Sequence, residues 1–340
     1  MLYANYIEQG SSNNDRFNLS NEKNINDRSY TYWLLREALL RHLIELNTPD
    51  RNIGKDIAFE LHMNVMPRKT HVPSYVLLME TGEIYPLNRT KNLQNRYKKI
   101  FTWNDDWVDD ERYIKINFPN KPFLDFQIGW EGRNKFCCVI AGNKSCAINT
   151  KKDLYSERVK AIRWFEKNAP DRFDLYGTGW ESPPPPSGFL GRIWRKTLPI
   201  YLYFFGKNAF PSYRGRVARK DQTLSRYRFA ICYENVRDVS GYITEKVFDC
   251  FFSGCIPIYW GASNITDYIP AECFIDKRNF ENYEDLYMHL DQMPLEDYIN
   301  YQKSILSFLK SPQARNFFSD CFVDKIVKAV LSDLSLLHAG

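Results

Sequence analysis

Residues 30–46, YTYWLLREALLRHLIEL, set apolar side chains three and four apart, the spacing that lines one face of a helix, and predict an amphipathic helix. The period then changes. Short runs rich in β-branched and aromatic residues recur at 57–65, 74–79, 99–103 and 114–118, each closed by Pro, Asn or charge, and predict strands of a first α/β layer. Residues 120–135, NKPFLDFQIGWEGRNK, carry turn formers without a period and read as a linker. A second series follows: a strand at 136–141, a helix at 153–168, strands at 174–177 and 228–235, a helix from Thr244, strands at 256–261 and 273–276, then helices to the C-terminus. Strands alternating with helices imply parallel sheets. The pattern therefore predicts an α/β protein of two domains, 1–130 and 131–340, with a helical C-terminal tail.

Composition removes alternatives. In 340 residues, 44% hydrophobic and 16% aromatic side chains exclude a disordered chain. The net charge of +5 is unevenly placed. Residues 182–220 hold Arg192, Arg195, Lys196, Lys207, Arg214, Arg216, Arg219 and Lys220, eight aromatics and no acid, so the rest of the chain is slightly acidic. Basic residues interleaved with aromatics suit an anionic membrane surface or a single-stranded nucleic acid. Of these the membrane is expected and nucleic acid is not; a basic loop framing phosphates is the equal alternative. Eight Cys without a CxxC pair read as reduced core thiols, and four Asn-x-Ser/Thr triplets, at Asn18, Asn88, Asn143 and Asn264, read as chance. The N-terminus has no basic region followed by an apolar core, and no stretch reaches the ~18 apolar residues of a membrane span. The expectation is a cytoplasmic protein, attached to a membrane peripherally if at all.

The candidate chemistry concentrates in residues 228–261, RFAICYENVRDVSGYITEKVFDCFFSGCIPIYWG. An apolar strand ends in Glu234 and Asn235, a loop with Gly241 follows, Thr244 suits the N-cap of a helix, and Gly254 suits its C′ position before the next strand. Two strands joined by a loop and helix form a parallel βαβ unit, whose first loop lies at the carboxyl edge where open α/β sheets bind ligands. A helix N-terminus favours an anion, so Lys246 in the first turn is misplaced by ~0.3 to 1 kcal/mol unless an anion lies beside it. Glu245 offers a carboxylate able to accept two hydroxyl hydrogen bonds, as a ribose provides. On spacing alone, an ordinary solvated helix start explains Glu245 and Lys246 equally well.

The run CYENVRDVSGYITEKVFDCFFSGCIPIYWGASNITDYIPAECFIDKRNF, 232–280, resembles the donor-binding signature of the α-1,3-fucosyltransferases of glycosyltransferase family 10, departing from it at Asn279, where the family has Asp. Weaker similarity covers 77–88, 99–108, 139–144 and 174–177. The resemblance implies a GT-B fold, two Rossmann-like domains facing across a cleft, with an N-terminal acceptor domain and GDP-fucose held by the C-terminal one. It further implies that Lys246 contacts the diphosphate and that Tyr242, Glu245 and Asn235 hold the ribose and nearby nucleotide. Asn143, in the turn Ala141-Gly142-Asn143, and Arg158 match the family's second phosphate contact, with Arg163 as the alternative. The family's general base falls in Met79-Glu80-Thr81-Gly82-Glu83; Glu80 is preferred because it ends the apolar strand, and Glu83 is second.

These assignments imply an inverting transfer of L-fucose from GDP-β-L-fucose to a hydroxyl of a GlcNAc-containing glycan or glycolipid. Glu80 acts as base, and Lys246, Arg158 and the helix N-terminus stabilise the departing GDP. No tightly bound metal is expected: the acidic clusters at 105–106 and 109–111 lie in the acceptor domain, and five scattered His suggest no site. The alternatives are a family member with another nucleotide-sugar donor, and an inert carbohydrate- or nucleic-acid-binding protein.

Overall fold

The computed structural model describes residues 1–20, 29–68, 70–124, 126–205 and 209–338. Lys207 and the side chains of Arg192 and Arg195, all part of the basic segment, lie outside the described residues. The chain divides into two compact units, Met1–Pro122 with Arg315–Gly340, and Phe123–Ala314.

The first unit carries β1 (Leu2–Ile7), α1 (Tyr30–Leu40), β2 (Ile44–Asn47), β3 (Ile57–Met63), β4 (Ser74–Leu78), α2 (Lys91–Gln94), β5 (Lys99–Thr102) and β6 (Tyr113–Lys115). The strands form one parallel sheet in the order β2-β1-β3-β4-β5-β6. Two features differ from the sequence expectation. The helix expected over 30–46 stops at Leu40: Leu43 turns the chain at φ 59, and Ile44 and Leu46 then alternate inward as a strand beside β1. Apolar residues at 43, 44 and 46 fit either period, and sheet pairing decides between them. β1 itself was hidden by Asn5 in its middle, a buried amide whose Oδ1 accepts from Asn52 Nδ2 at 2.9 Å.

The second unit carries β7 (Lys135–Ile140), α3 (Tyr155–Asn168), β8 (Phe173–Tyr176), α4 (Phe189–Phe205), α5 (Lys220–Leu224), β9 (Tyr227–Tyr233), α6 (Glu245–Phe252), β10 (Ile256–Trp260), β11 (Ile275–Asp276), α7 (Tyr283–Asp291) and α8 (Leu295–Leu309). Its sheet is parallel, in the order β11-β10-β9-β7-β8. α3, α7 and α8 cover one face, burying Ile162, Phe165, Leu286 and Tyr298 against Val139, Phe229 and Ile258. α6 turns Val247, Phe248, Cys250 and Phe251 inward, each large apolar group contributing ~1.5 to 3 kcal/mol. Gly254 follows it at φ +64, where a Cβ would collide with the Phe126 ring and the Arg133 guanidinium. All eight cysteines are free thiols, seven of them buried.

The expected division at 130/131 differs from the observed one at the C-terminal end. After α9 (Pro312–Arg315), α10 (Ser319–His338) returns to the first unit, where Phe322, Ile326 and Val330 pack among Tyr6, Leu35 and Phe59. Polar contacts fix its register: Asp333 Oδ2 accepts from the Tyr75 hydroxyl at 3.0 Å, and the Thr31 and Ser319 hydroxyls meet at 2.7 Å. The amphipathic tail has an apolar face to bury, and the first sheet's core supplies the partner.

Candidate functional site

The carboxyl edge of the second sheet is organised by one carboxylate. Glu234, the first residue after β9, has no exposed surface. Its Oε1 accepts the backbone N–H of Thr244 at 2.8 Å, and its Oε2 accepts the Thr244 hydroxyl at 2.7 Å and Lys246 Nζ at 2.9 Å. Thr244 is the N-cap of α6, and its Oγ1 also accepts from Lys246 Nζ at 3.0 Å. The residue that follows the strand is thereby tied to the first turn of the next helix.

This geometry answers the electrostatic question raised by Lys246. The anion beside it, which the sequence reading sought in a ligand, is the protein's own Glu234. Burial pulls the Lys246 pKa down, but the charges of Glu234 and Glu245 outweigh it, and the ammonium ends above its ordinary value. The side chain remains 20% exposed, and two of its three N–H donors are used on Glu234 and Thr244. One N–H is left for a ligand.

The other expected residues divide into those presented at the edge and those beneath it. Asn235 and Glu245 are half-buried beside Lys246. Tyr242 is only 1% exposed, and its hydroxyl accepts from Asn235 Nδ2 at 3.2 Å, which orients Asn235 from below. Arg158 also lies beneath the edge. It is 2% exposed, with Nη2 bonded to the carbonyl oxygens of Tyr233 and Glu234 at 2.8 and 3.2 Å, and burial pulls its pKa down. A guanidinium so placed braces the strand end that carries Glu234. The alternative, Arg163, pairs with Glu166 at 2.7 Å and with the Ala209 carbonyl at 2.9 Å.

Asn143 spends its Nδ2 on the carbonyls of Gly179 and Ser182, at 2.8 and 2.9 Å, while its Oδ1 is a buried acceptor without a partner. It clasps the turn after β7 to the segment after β8, where Trp180 Nε1 donates to the Ala141 carbonyl at 2.7 Å. That turn joins the Glu234 loop through Leu154 N to Asn235 O at 3.1 Å and Arg237 N to Lys152 O at 2.8 Å.

Sequence reasoning passed over three contributors. Glu234 carries no role in the sequence reading beyond ending its strand, although a carboxylate closing an apolar strand ten residues before an N-cap Thr was the available signal. Gly261 is required by close approach, since a Cβ there would run into the Tyr259 hydroxyl and Glu234 Cγ. A groove of about 420 Å³ beside the strand ends, lined by Glu157, Trp164, Trp260, Lys277 and Tyr283, sets aromatic faces next to carboxylates. Among the described residues, no three His, Cys, Asp or Glu side chains gather as a metal-ligand set.

In the first unit, Glu80 follows β4 and is half-buried, as is Glu83. Asn64, at φ 61, accepts the backbone N–H groups of Met79 and Glu80 at 3.0 and 3.1 Å, and Asn88 Nδ2 donates to Asn64 Oδ1 and the Glu80 carbonyl at 2.8 and 2.7 Å. Two asparagines thus hold the backbone of Glu80 at the carboxyl end of its strand, and neither was singled out for this from sequence.

Residues 194–304 match the model of the glycosyltransferase family 10 (fucosyltransferase) C-terminal domain. The alpha-(1,3)-fucosyltransferase FucT of Helicobacter pylori is 38% identical over 69 residues, 20% of this chain and 14% of that protein. The 4-galactosyl-N-acetylglucosaminide 3-alpha-L-fucosyltransferase 9 of Mus musculus is 32% identical over 88 residues, 24% of each chain. The matched segments thus span less than a quarter of these relatives' lengths. A crystal structure of an alpha1,3-fucosyltransferase with GDP superposes with a TM-score of 0.54 over 96% of this chain and 88% of that one, at 13% identity. The same enzyme class with GDP-fucose gives 0.52, over 96% and 89%, at 14% identity. At such identities the likeness speaks for the fold, the two-domain α/β architecture of the GT-B type. The second unit thus carries a segment similar to the family 10 C-terminal domain, and the fold likeness runs along nearly the whole chain.

Proposed function

We propose that this protein is an inverting α-1,3-fucosyltransferase that moves L-fucose from GDP-β-L-fucose to a hydroxyl of a GlcNAc-containing glycan. The observation that carries the reading is the start of α6. There the Lys246 ammonium, with one N–H unspent, is held by Glu234 and Thr244 at a helix N-terminus, inside the segment matched by the family model. Lys246 and the positive end of α6 meet the diphosphate, and Glu245 and Asn235 accept and donate to the ribose. Tyr242, Arg158 and Asn143 act from beneath, by holding these groups in place.

In the reaction the acceptor oxygen bonds to the fucose anomeric carbon as the bond to the β-phosphate oxygen breaks, and GDP leaves with the electron pair. Attack opposite the leaving group turns the β-linked donor into an α-linked product. Glu80 takes the acceptor proton, an effect of about 10² to 10⁴ in rate for a positioned base. Lys246 stabilises the charge growing on the diphosphate, with Glu234 fixing the ammonium in advance.

The test is incubation of the protein with GDP-fucose and an array of glycans, including those ending in GlcNAc, with GDP release measured and the product linkage located by NMR. Fucose in α-1,3 linkage is expected, with Glu80→Gln slowing turnover at least a hundred-fold while GDP affinity is kept. Product from another nucleotide sugar but not from GDP-fucose refutes the donor assignment. Unchanged GDP affinity in Lys246→Ala refutes the site.

A further inference from the structure

α4 is an unusual helix for the body of a folded unit. It runs 17 residues, or about 26 Å, from Phe189 to Phe205. Its apolar residues face outward: Phe189 is 70% exposed, Leu190 63%, Ile193 46% and Ile200 61%. At 100° per residue, positions 189, 193 and 200 fall within about 40° of one another, with 190 farther round on one side. On the other side the register places 196, 192 and 195 in turn, at about 20 to 120° from Phe189, and these positions are Lys, Arg and Arg. The helix contains no acidic residue, and its Lys196 is exposed. Among the described residues no other helix or strand packs extensively along it.

The helix is nonetheless anchored at its start. Gly188 N donates to the Cys146 carbonyl at 3.1 Å, and Ser145 Oγ donates to the Pro186 carbonyl at 2.9 Å. Gly191 is buried there, where a Cβ would collide with the Pro186 carbonyl. Asn143 Nδ2 holds the Ser182 carbonyl in the same loop. α4 therefore springs from the carboxyl edge of the second sheet, the edge that carries Glu234 and Lys246.

We propose that α4 docks on an anionic lipid bilayer, lying in the headgroup region with Phe189, Ile193 and Ile200 inserted and its basic flank on the lipid phosphates. An exposed apolar stripe bordered on one side by cations is what an interfacial helix requires, and the acid-free flank matches a negative surface in charge. No helix among the described residues is long and apolar enough to cross a membrane, so α4 lies on the surface. Pro199 ends the hydrogen-bonding ladder locally, which lets the two halves of α4 follow that surface separately. The inference is independent of the transferase reading.

The experiment is flotation of the full chain with vesicles of phosphatidylcholine alone or mixed with phosphatidylglycerol, at low and high salt. Binding to the mixed vesicles at low salt is expected. Loss of one basic charge in Lys196→Ala should weaken it about five-fold, the worth of one cation near an anionic leaflet. Ile193→Asp and Ile200→Asp should each weaken it at least ten-fold with the melting temperature unchanged. If either aspartate variant unfolds, Ile193→Ser replaces it, with a smaller loss in the same direction. Equal binding to neutral vesicles, no binding at low salt, or full binding by the aspartate variants overturns the proposal. So does a face used otherwise: a dimer in solution that Ile193→Asp dissolves, or retention of single-stranded RNA that Lys196→Ala abolishes while vesicles bind nothing.

Discussion

The Glu234–Lys246 pair is open to a quantitative test through Lys246→Met, which keeps the aliphatic stem and deletes the charge. Removing one partner of a buried ion pair costs ~3 to 5 kcal/mol, because the other charge is left uncompensated in a poorly solvating site. Here Glu234 has no exposed surface, but Thr244 still donates two hydrogen bonds to it, and the native ammonium is itself 20% exposed. The lower end, about 3 kcal/mol, is the expected cost. Adding Glu234→Gln removes the stranded charge and leaves an amide able to accept from Thr244. The double variant should therefore be more stable than Lys246→Met alone by at least ~1 kcal/mol, a coupling of the size seen for contacting residues.

Two units need not unfold together, so the readout should be local. Hydrogen exchange of peptides spanning β9 and α6, followed by mass spectrometry, supplies it. A loss of ~3 kcal/mol corresponds to amide exchange roughly a hundred-fold faster in Lys246→Met, partly restored in the double variant. The pH dependence has a definite sign. The folded Lys246 pKa lies above the unfolded one, so the pair's contribution is complete below the unfolded lysine value near ~10.4 and is lost as pH rises through the folded value. Exchange in Lys246→Met within about three-fold of the native rate, or a double variant faster than the single one, would refute the account of Glu234 as the internal anion.

Three further outcomes are expected. Asp174 accepts from Lys135 Nζ, the Tyr227 hydroxyl and Arg214 Nε at 2.6, 2.6 and 2.7 Å; burial raises its pKa, but these bonds outweigh it and hold the carboxyl below its ordinary value. Asp174→Asn should cost about 2 kcal/mol at neutral pH in urea unfolding, and the native advantage should persist above the unfolded Asp value near ~3.9 and vanish as pH falls through the folded one; a constant difference down to acid pH refutes this. Gly254→Ala meets both the left-handed φ and the Phe126 ring, and disturbs Arg133, whose Nη2 holds the Ser253 carbonyl at 2.6 Å. A loss of about 3 kcal/mol is expected, read as a lowered urea midpoint. Asn64→Gly keeps the positive φ but strips the acceptor from the N–H groups of Met79 and Glu80, so it should lose about 2 kcal/mol and, under the proposed reaction, lower kcat without raising the donor KM.

The strands were legible wherever the apolar run was unbroken. β4, β5, β7, β9 and β10 lie where period and composition placed them, because a parallel strand buried on both faces reads as a continuous apolar run. The misses have one physical origin, that local pattern does not say which partner is available. β1 carries Asn5 at the centre of a sheet because Asn52, some fifty positions away, supplies its hydrogen bond. α10 read as part of a tail on the second domain because its apolar face is generic, and the core that receives it belongs to the first 122 residues.

The site shows the same limit at finer scale. Spacing established that Lys246 stands at the wrong end of a helix and needs an anion; it was silent on whether that anion is a ligand or a side chain. Glu234 settles the electrostatics internally, and this changes what Lys246 means for binding. A lysine awaiting a phosphate to relieve its misplacement would be a stability liability in the free protein. A lysine already neutralised by Glu234 and oriented by Thr244 is held in one geometry before a ligand arrives, with two of its three N–H groups spent. Such preorganisation lowers the reorganisation that binding or leaving-group departure would demand, which is how fixed electrostatic groups work best. Arg158 and Tyr242, by contrast, lie buried beneath this edge. Both motif positions keep their residue types, with Arg158 Nη2 bonded to the strand end and the Tyr242 hydroxyl bonded to Asn235. A motif read from sequence thus marks a site without separating its exposed members from its buried ones, and burial distinguishes Asn235, Glu245 and Lys246 from Tyr242 and Arg158 here.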